Sequence, residues 1–396
     1  MIELEDLGPT PNALARFYSH ARVSDRLLLS GHSHQAWPDV ALDGQIEAFE
    51  DATRAVDEKW ELAFARAEEV RGAYRGWLSE PEATIALGAS THELVLRFLS
   101  ALDLRTRPRL LTTDGEFQTL RRQTRRLAEA GLSVQVVAAE PVDTLAERLA
   151  AALSERTAAV LVSAVLFETG RIVPDLGRLA AVCSERQVEL LVDAYHALGP
   201  VPAGLWSEGL DRAWIVGGGY KYLQLGEGNC FLRLPPHAQQ LRPVITGWYA
   251  EFDTLTGAHD EERVAYGSGA ARFAGSTYDP TSHYRAAHVI RFFAEQGLDA
   301  ELLRTSYQHQ LQVLVAAFDE LGADPRVIDR DRASALSEFG GFLALRAPRA
   351  AELRAALRAR GVLCDSRRDY LRLGPAPYLS DAQLREAVGW LGDALS

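Results

Sequence analysis

Between about residues 80 and 235 this 396-residue chain alternates short apolar runs with amphipathic helical periods, and that alternation narrows its fold sharply. The strand-like runs fall at 109–113, 134–138, 159–165, 189–193, 213–216 and 230–234. Helical periods fill the gaps at 120–130, 144–153 and 176–186. Strands that are apolar on both faces and separated by helices of this length predict β-α-β units, with a mostly parallel sheet covered by helices on both sides. In such sheets ligands bind beyond the carboxyl ends of the strands, so the residue after each strand is where chemistry is sought. After residue 280 the pattern changes to a long helical stretch at 283–321. A short α+β tail follows, with strands at 341–345 and 370–373 around a helix at 350–360. The expected division is an N-terminal segment (1–60), a large domain (61–280) and a small C-terminal domain (281–396).

Composition sharpens the search at one position. Of 42 basic residues 40 are arginine; the two lysines are Lys59 and Lys221. Lys59 lies in a charged helical pattern and reads as a surface residue. Lys221 sits in Gly217-Gly218-Gly219-Tyr220-Lys221-Tyr222, directly after an apolar run. Arginine matches lysine's charge but cannot act as a free amine, and Schiff-base chemistry needs that amine. The alternative for Lys221 is a solvated loop residue. The net charge of −12 argues against nucleic acid as a partner. Arg121, Arg122, Arg125 and Arg126 lie on one helical segment and read as surface cover. Cys183, Cys230 and Cys364 are widely spaced and form no disulfide or zinc pattern. The acidic N-terminus has no leader-like pattern and no apolar run reaches membrane-span length, so a cytoplasmic protein is expected.

Other strand ends supply complementary parts. Gly88-Ala89-Ser90-Thr91-His92-Glu93 opens a helix, where free N–H groups and hydroxyls suit a phosphate; Ser90 with Glu93 also reads as a plain capping box. Asp193, in Asp193-Ala194-Tyr195-His196, ends the most apolar strand. There a carboxylate needs a cation such as a pyridinium, or serves as a helix N-cap. Phe117 follows the strand at 109–113 and can stack on a planar ring or fill the core. A phosphate cradle, a stacking aromatic, a strand-end aspartate and a loop lysine, in that order, are the parts of a pyridoxal phosphate site.

These segments carry a resemblance. Asp193-Ala194-Tyr195-His196-Ala197-Leu198-Gly199 is similar to D-x-x-H-A-x-G, and residues 220–228 to Y-K-Y-L-N-x-G-x-G, of the kynureninase family in the class V aminotransferase group. Gly247-Trp248, Glu168-Thr169-Gly170-Arg171, and Cys364-Asp365-Ser366-Arg367 with Arg372 resemble further family segments, in family order. The resemblance implies a fold-type I pyridoxal phosphate enzyme, a homodimer with a shared active site. Lys221 carries the cofactor as a Schiff base and moves protons, while Asp193 pairs with the pyridinium nitrogen. Phe117 stacks on the ring with His196 beside it, and Ser90, Thr91, Tyr220 and Trp248 hold the phosphate, with Ser276 reaching in from a second subunit. Arg372 binds the substrate α-carboxylate through its fork, and His92, Ser33 and Trp37 border the substrate.

The implied reaction is hydrolysis of the Cβ–Cγ bond of L-kynurenine or a related aryl-keto amino acid, giving alanine and an anthranilate, a step of tryptophan catabolism. Two segments depart from the family pattern and would line the side-chain pocket: Gly31-His32-Ser33-His34-Gln35-Ala36-Trp37-Pro38, and residues 272–278 around Ser276. The alternatives are another class V reaction (C–S lyase, cysteine desulfurase, epimerase or transaminase) and, at a distance, a metal hydrolase built on His32 and His34. No metal is expected.

Overall fold

The computed structural model describes residues 1–254 and 263–395. Its centre is a seven-stranded sheet: β1 (Thr84–Gly88), β2 (Arg109–Thr113), β3 (Ser133–Val137), β4 (Thr157–Ser163), β5 (Glu189–Asp193), β6 (Trp214–Gly218) and β7 (Cys230–Leu234). The spatial order is β1-β7-β6-β5-β4-β2-β3. The pairs from β6 to β3 are parallel, and β7 runs antiparallel to both of its neighbours. Alternation along the strands feeds two cores. Leu190, Val192 and Ile215 pack on one side of the sheet, and Leu191, Trp214 and Val216 on the other. Every residue of β4, β6 and β7 is buried, whereas the edge strand β3 is largely exposed.

Helices α1 (Val40–Ala55) and α2 (Lys59–Leu78) precede the sheet, and α3 (Thr91–Ser100), α4 (Gln118–Glu129), α5 (Leu145–Ala151) and α6 (Leu176–Glu185) connect its strands. The helical stretch expected at 283–321 is two helices, α7 (Thr281–Gln296) and α8 (Ala300–Glu320). Gly297, at φ +76°, ends the first in a left-handed turn. Asp299 caps the second, its Oδ1 accepting from the Glu301 and Leu302 amides at 3.0 and 2.8 Å. The strand expected to reach Val165 stops at Ser163, because Val165 turns to bridge Ile172.

The C-terminal part holds an antiparallel sheet of β8 (Asp329–Arg330), β9 (Leu343–Arg346), β10 (Asp365–Arg367) and β11 (Tyr370–Leu373), in the order β10-β11-β9-β8. Helix α9 (Ala350–Ala359) packs on it, and α10 (Asp381–Leu395) packs on α8 and α9. Local pattern does not place the N-terminal segment, and its attachment is long-range. Leu27–Leu28 pairs with Val362–Leu363, Ser30 bridges Gly374, and α1 packs along α7. This brings residues 30–38 beside the ends of the large sheet.

Candidate active site

Lys221 lies three residues beyond β6 and His196 three beyond β5, so the strand ends aim both side chains into one space. The Lys221 Nζ is 2.8 Å from His196 Nε2 and lies over the rings of Tyr195 (4.7 Å) and Phe117 (5.4 Å). His196 Nδ1 meets the Tyr222 hydroxyl at 3.3 Å. A protonated amine leaves Nε2 only the acceptor role, so Nδ1–H donates to Tyr222. Asp193 ends β5, and its Oδ1 accepts from the Tyr195 amide at 2.9 Å. That bond forms a turn rather than a helix cap.

Burial governs the electrostatics here. It drives the Lys221 amine down from its ordinary value, opposed by Asp193 and reinforced by Arg372. Burial raises the Asp193 carboxyl, against the Tyr195 amide and Lys221. Burial, with Lys221 and Arg372, holds His196 neutral well below its usual range. Tyr220, stacked against His34 at 5.0 Å, has its hydroxyl pushed up to about 12 by burial and the nearby Cys230 and carboxylates. The site therefore offers an amine close to losing its proton, a neutral imidazole and a phenol that stays protonated.

These groups line a cavity of about 230 Å³ together with Ser90, Thr91, His92, Phe117 and Ser163. The space takes one small planar ring. At one end the first turn of α3 offers hydroxyls and free N–H groups to an anion, although the Ser90 hydroxyl also accepts from Glu93 N at 3.3 Å. Asp193 and Lys221 bring a buried carboxyl and a buried amine to the same cavity. This donor set fits pyridoxal phosphate. Ser33, Trp37, Trp248, Ser276 and Arg372 are not among the lining residues. Trp248 donates from Nε1 to Thr277 Oγ1 at 3.2 Å, and Ser276 lines an adjoining cavity of about 980 Å³ that meets the first at Ala89 and Gly228. Trp37 lies over the Arg285 guanidinium at 4.4 Å. Arg372 is buried between the Phe167 and Phe342 rings and bonded to the Phe167 carbonyl and the Asp365 carboxylate, with Nε free of partners.

No protein-family model matches the chain. It is 22% identical over 354 residues to the uncharacterized aminotransferase YcbU of Bacillus subtilis (strain 168), covering 87% of this chain and 88% of that protein. It is 26% identical over 371 residues to a kynureninase of Bacillus anthracis, covering 86% and 78%. Among solved structures, C-DES with glycine covalently linked to its PLP cofactor superposes with TM-score 0.81 at 17% identity, over 96% of this chain and 98% of that one. A cysteine desulfurase from Thermococcus onnurineus NA1 superposes at 0.79 with 15% identity, over 100% and 98%. The chain has the fold of the fold-type I pyridoxal phosphate-dependent enzymes.

Within this fold-type I frame the structure adds residues that sequence reasoning missed. Ser163 closes β4 and lines the pocket, and Glu116, buried just before Phe117, binds it. Phe167 also lines the pocket, at 5.5 Å from Phe117 between ring centroids. Position at a strand end was the available signal for Ser163. His32 and His34 diverge: His32 is buried against Phe342, and His34 is exposed beside Glu227 at 3.6 Å. Among the described residues no group of three or more His, Cys, Asp or Glu side chains is placed to hold a metal ion, and no helix is long and apolar enough to cross a membrane.

Proposed function

We propose that the chain is a pyridoxal phosphate enzyme of the class V aminotransferase group that hydrolyses the Cβ–Cγ bond of L-kynurenine or a related aryl-keto amino acid. The observation that carries this reading is the buried Lys221 amine, held by His196 and facing Asp193 and Phe117 in one ring-sized cavity. When bound, the cofactor would supply an electron sink for the pair left at the substrate's Cα when its C–H bond breaks. The chain's own groups do the rest. The Lys221 amine takes the Cα proton, and the Asp193 carboxylate accepts the ring N–H. The Tyr220 hydroxyl, which keeps its proton at neutral pH, donates to the γ-carbonyl oxygen as water adds there. Arg372, which stands behind Phe167 of the pocket wall, would receive the α-carboxylate. One water is consumed, and alanine and an anthranilate leave.

The cysteines weigh against a desulfurase. Burial pushes the Cys364 thiol up to about 12, and burial also raises Cys230, which lies beneath Tyr195 at 3.6 Å from its hydroxyl. Neither is a thiolate on a free loop. A second reading, lysis of a C–S bond in a cystine-like substrate, has behind it the likeness to the cystine C–S lyase C-DES and needs no thiol from the protein. We further place Ser276 in the phosphate site of a second copy, the cavity beside Ala89 and Gly228 receiving the partner. Three free thiols suit a reducing cytoplasm.

The test is an absorbance spectrum of the purified protein with pyridoxal phosphate, followed by addition of L-kynurenine with anthranilate fluorescence read in the same cuvette. A visible Schiff-base band and anthranilate release support the hydrolase. A band with pyruvate release from L-cystine, and no anthranilate, moves the reading to C–S lysis. No band removes the cofactor assignment altogether.

A further inference from the structure

Glu116 is a buried acid that none of the steps above uses. It follows β2 by three residues and is fully buried. The Thr113 hydroxyl donates to its Oε1 at 2.6 Å, the Ser163 hydroxyl to its Oε2 at 2.6 Å, and the Ser163 amide to its Oε1 at 3.2 Å. Thr113 on β2 and Ser163 on β4 are neutral; the charged group that faces Glu116 is Asp193, the register partner of Ser163 on β5. Three donors satisfy the carboxylate's geometry but bring no positive charge. Burial without a cation favours the protonated acid. Burial, with Asp193 adding to it and the two hydroxyls opposing it, lifts the Glu116 carboxyl to about 7.

The state of Glu116 sets the role of Ser163. When Glu116 is ionised, the Ser163 hydroxyl donates to it and turns its lone pairs to the pocket that Ser163 lines. When Glu116 is protonated, it donates to the Ser163 oxygen, and the hydroxyl hydrogen is freed toward the pocket. A cation arriving at Asp193 adds the missing positive charge and favours the ionised state.

We propose that Glu116 is a positioning residue of the cofactor site: through Ser163 it sets which way the pocket hydroxyl points, and it releases its proton when a pyridinium docks on Asp193. This rests on the pyridoxal phosphate reading above. It balances simply, since one proton leaves the Glu116 carboxyl for solvent as the cofactor binds.

The experiment is calorimetric binding of pyridoxal phosphate to the cofactor-free protein at pH 6.5, in two buffers of different ionisation heat, for the wild type and Glu116→Gln. Proton changes at Lys221 are common to both and cancel in the difference. The wild type is expected to release more protons than Glu116→Gln, by roughly half a proton for each cofactor bound. Equal proton counts, with a visible band in both proteins, overturn the proposal. Absence of a band in the wild type sinks the cofactor reading instead, so the two failures are distinct. If Glu116→Gln does not fold, Ser163→Ala is measured in its place. With the relay cut, proton release persists while the visible band moves away from its wild-type position. A band at the wild-type position overturns the relay.

Discussion

At the floor of the pocket Asp193 at the end of β5, with His196 and Lys221 just beyond β5 and β6, are 5–6% exposed; at its mouth His34 and Glu227 stand on loops with side chains 64% and 62% exposed. The floor is desolvated, so small charge differences move its protons, and its groups are held by strands whose every neighbour is packed. The mouth is solvated, its His34–Glu227 contact is 3.6 Å, and His34 lies in a segment that departs from the resembled pattern. On the proposed reading, the floor makes bonds and the mouth chooses the substrate. Substitutions that treat the two regions alike can break that division.

The largest effect is expected at Lys221. Lys221→Arg keeps a cation over Phe117 and Tyr195 but cannot supply a free amine. The Schiff-base band should vanish and turnover fall by at least about 10³-fold, roughly 4 kcal/mol of activation free energy. Lys59→Arg is the matched control and should change stability by less than about 0.5 kcal/mol. Spectra and turnover of the two substituted proteins, measured side by side, check both statements.

Next in size is the Arg372–Asp365 pair behind the floor. Both side chains are largely buried, and removing Arg372 leaves Asp365 only Arg367 and the Ser366 amide as partners. Arg372→Leu should lose about 3 kcal/mol of stability in chemical denaturation, and Arg372→Leu with Asp365→Asn should recover most of it. On the proposed reading, neither protein should saturate with amino acid, because both lack the guanidinium assigned to the α-carboxylate. Recovery of substrate binding in the double substitution would separate Arg372 from the substrate and leave it a purely structural ion pair.

The floor was also the more legible region. Apolar strands of fixed period place Asp193 and Lys221 at strand ends whatever the tertiary detail, and the lysine-poor composition singles out the amine. Gly297 followed by Asp299 carried a readable stop and start for α7 and α8 that the apolar periodicity across them obscured. Glu116 was not legible. In Asp114-Gly115-Glu116 it reads as a turn residue, and its burial depends on β4 lying beside β2, a pairing that sequence spacing does not display. The N-terminal loop was hidden for the same reason, since Leu27–Leu28 finds its partner more than 300 residues away. The close approach of Gly374 to His32 likewise joins distant segments: a Cβ at 374 would collide with the ring.

A smaller effect tests how far the floor's desolvation extends. His32 stacks on Phe342 at 4.7 Å, and burial, with Arg372, Lys221 and Arg367, holds it neutral well below its usual value. Below about pH 6.5 the unfolded chain binds a proton that the folded His32 refuses. His32 therefore costs the fold about 1.4 kcal/mol for each unit that the pH drops. His196 acts the same way. Glu116 and Asp193, raised in the fold, add stability as the pH falls and mask this in the wild type. The difference between the cofactor-free wild type and His32→Phe isolates it. Between pH 6.5 and 5 the stability of His32→Phe should rise relative to wild type by about 2 kcal/mol in denaturant titrations. Parallel curves would mean that His32 is hydrated and belongs with the mouth.

The smallest effect is expected at the mouth itself. His34 and Glu227 are too exposed for their attraction to matter much to the fold, and pairs of this kind contribute up to about 1 kcal/mol and fade with salt. Glu227→Gln should leave the melting temperature and the Schiff-base band unchanged. Its effect should fall on KM, by about threefold, and shrink as salt is added, because Glu227 lines the cavity that a side chain must cross while touching neither Lys221 nor Asp193. The size of the shift should differ between substrates with and without an amino group on the aryl ring, since a carboxylate distinguishes a donor from its absence. A loss confined to kcat and equal for both substrates would place Glu227 in the proton transfers. The solvated mouth would then share the chemistry, and desolvation alone would not mark where this protein makes and breaks bonds.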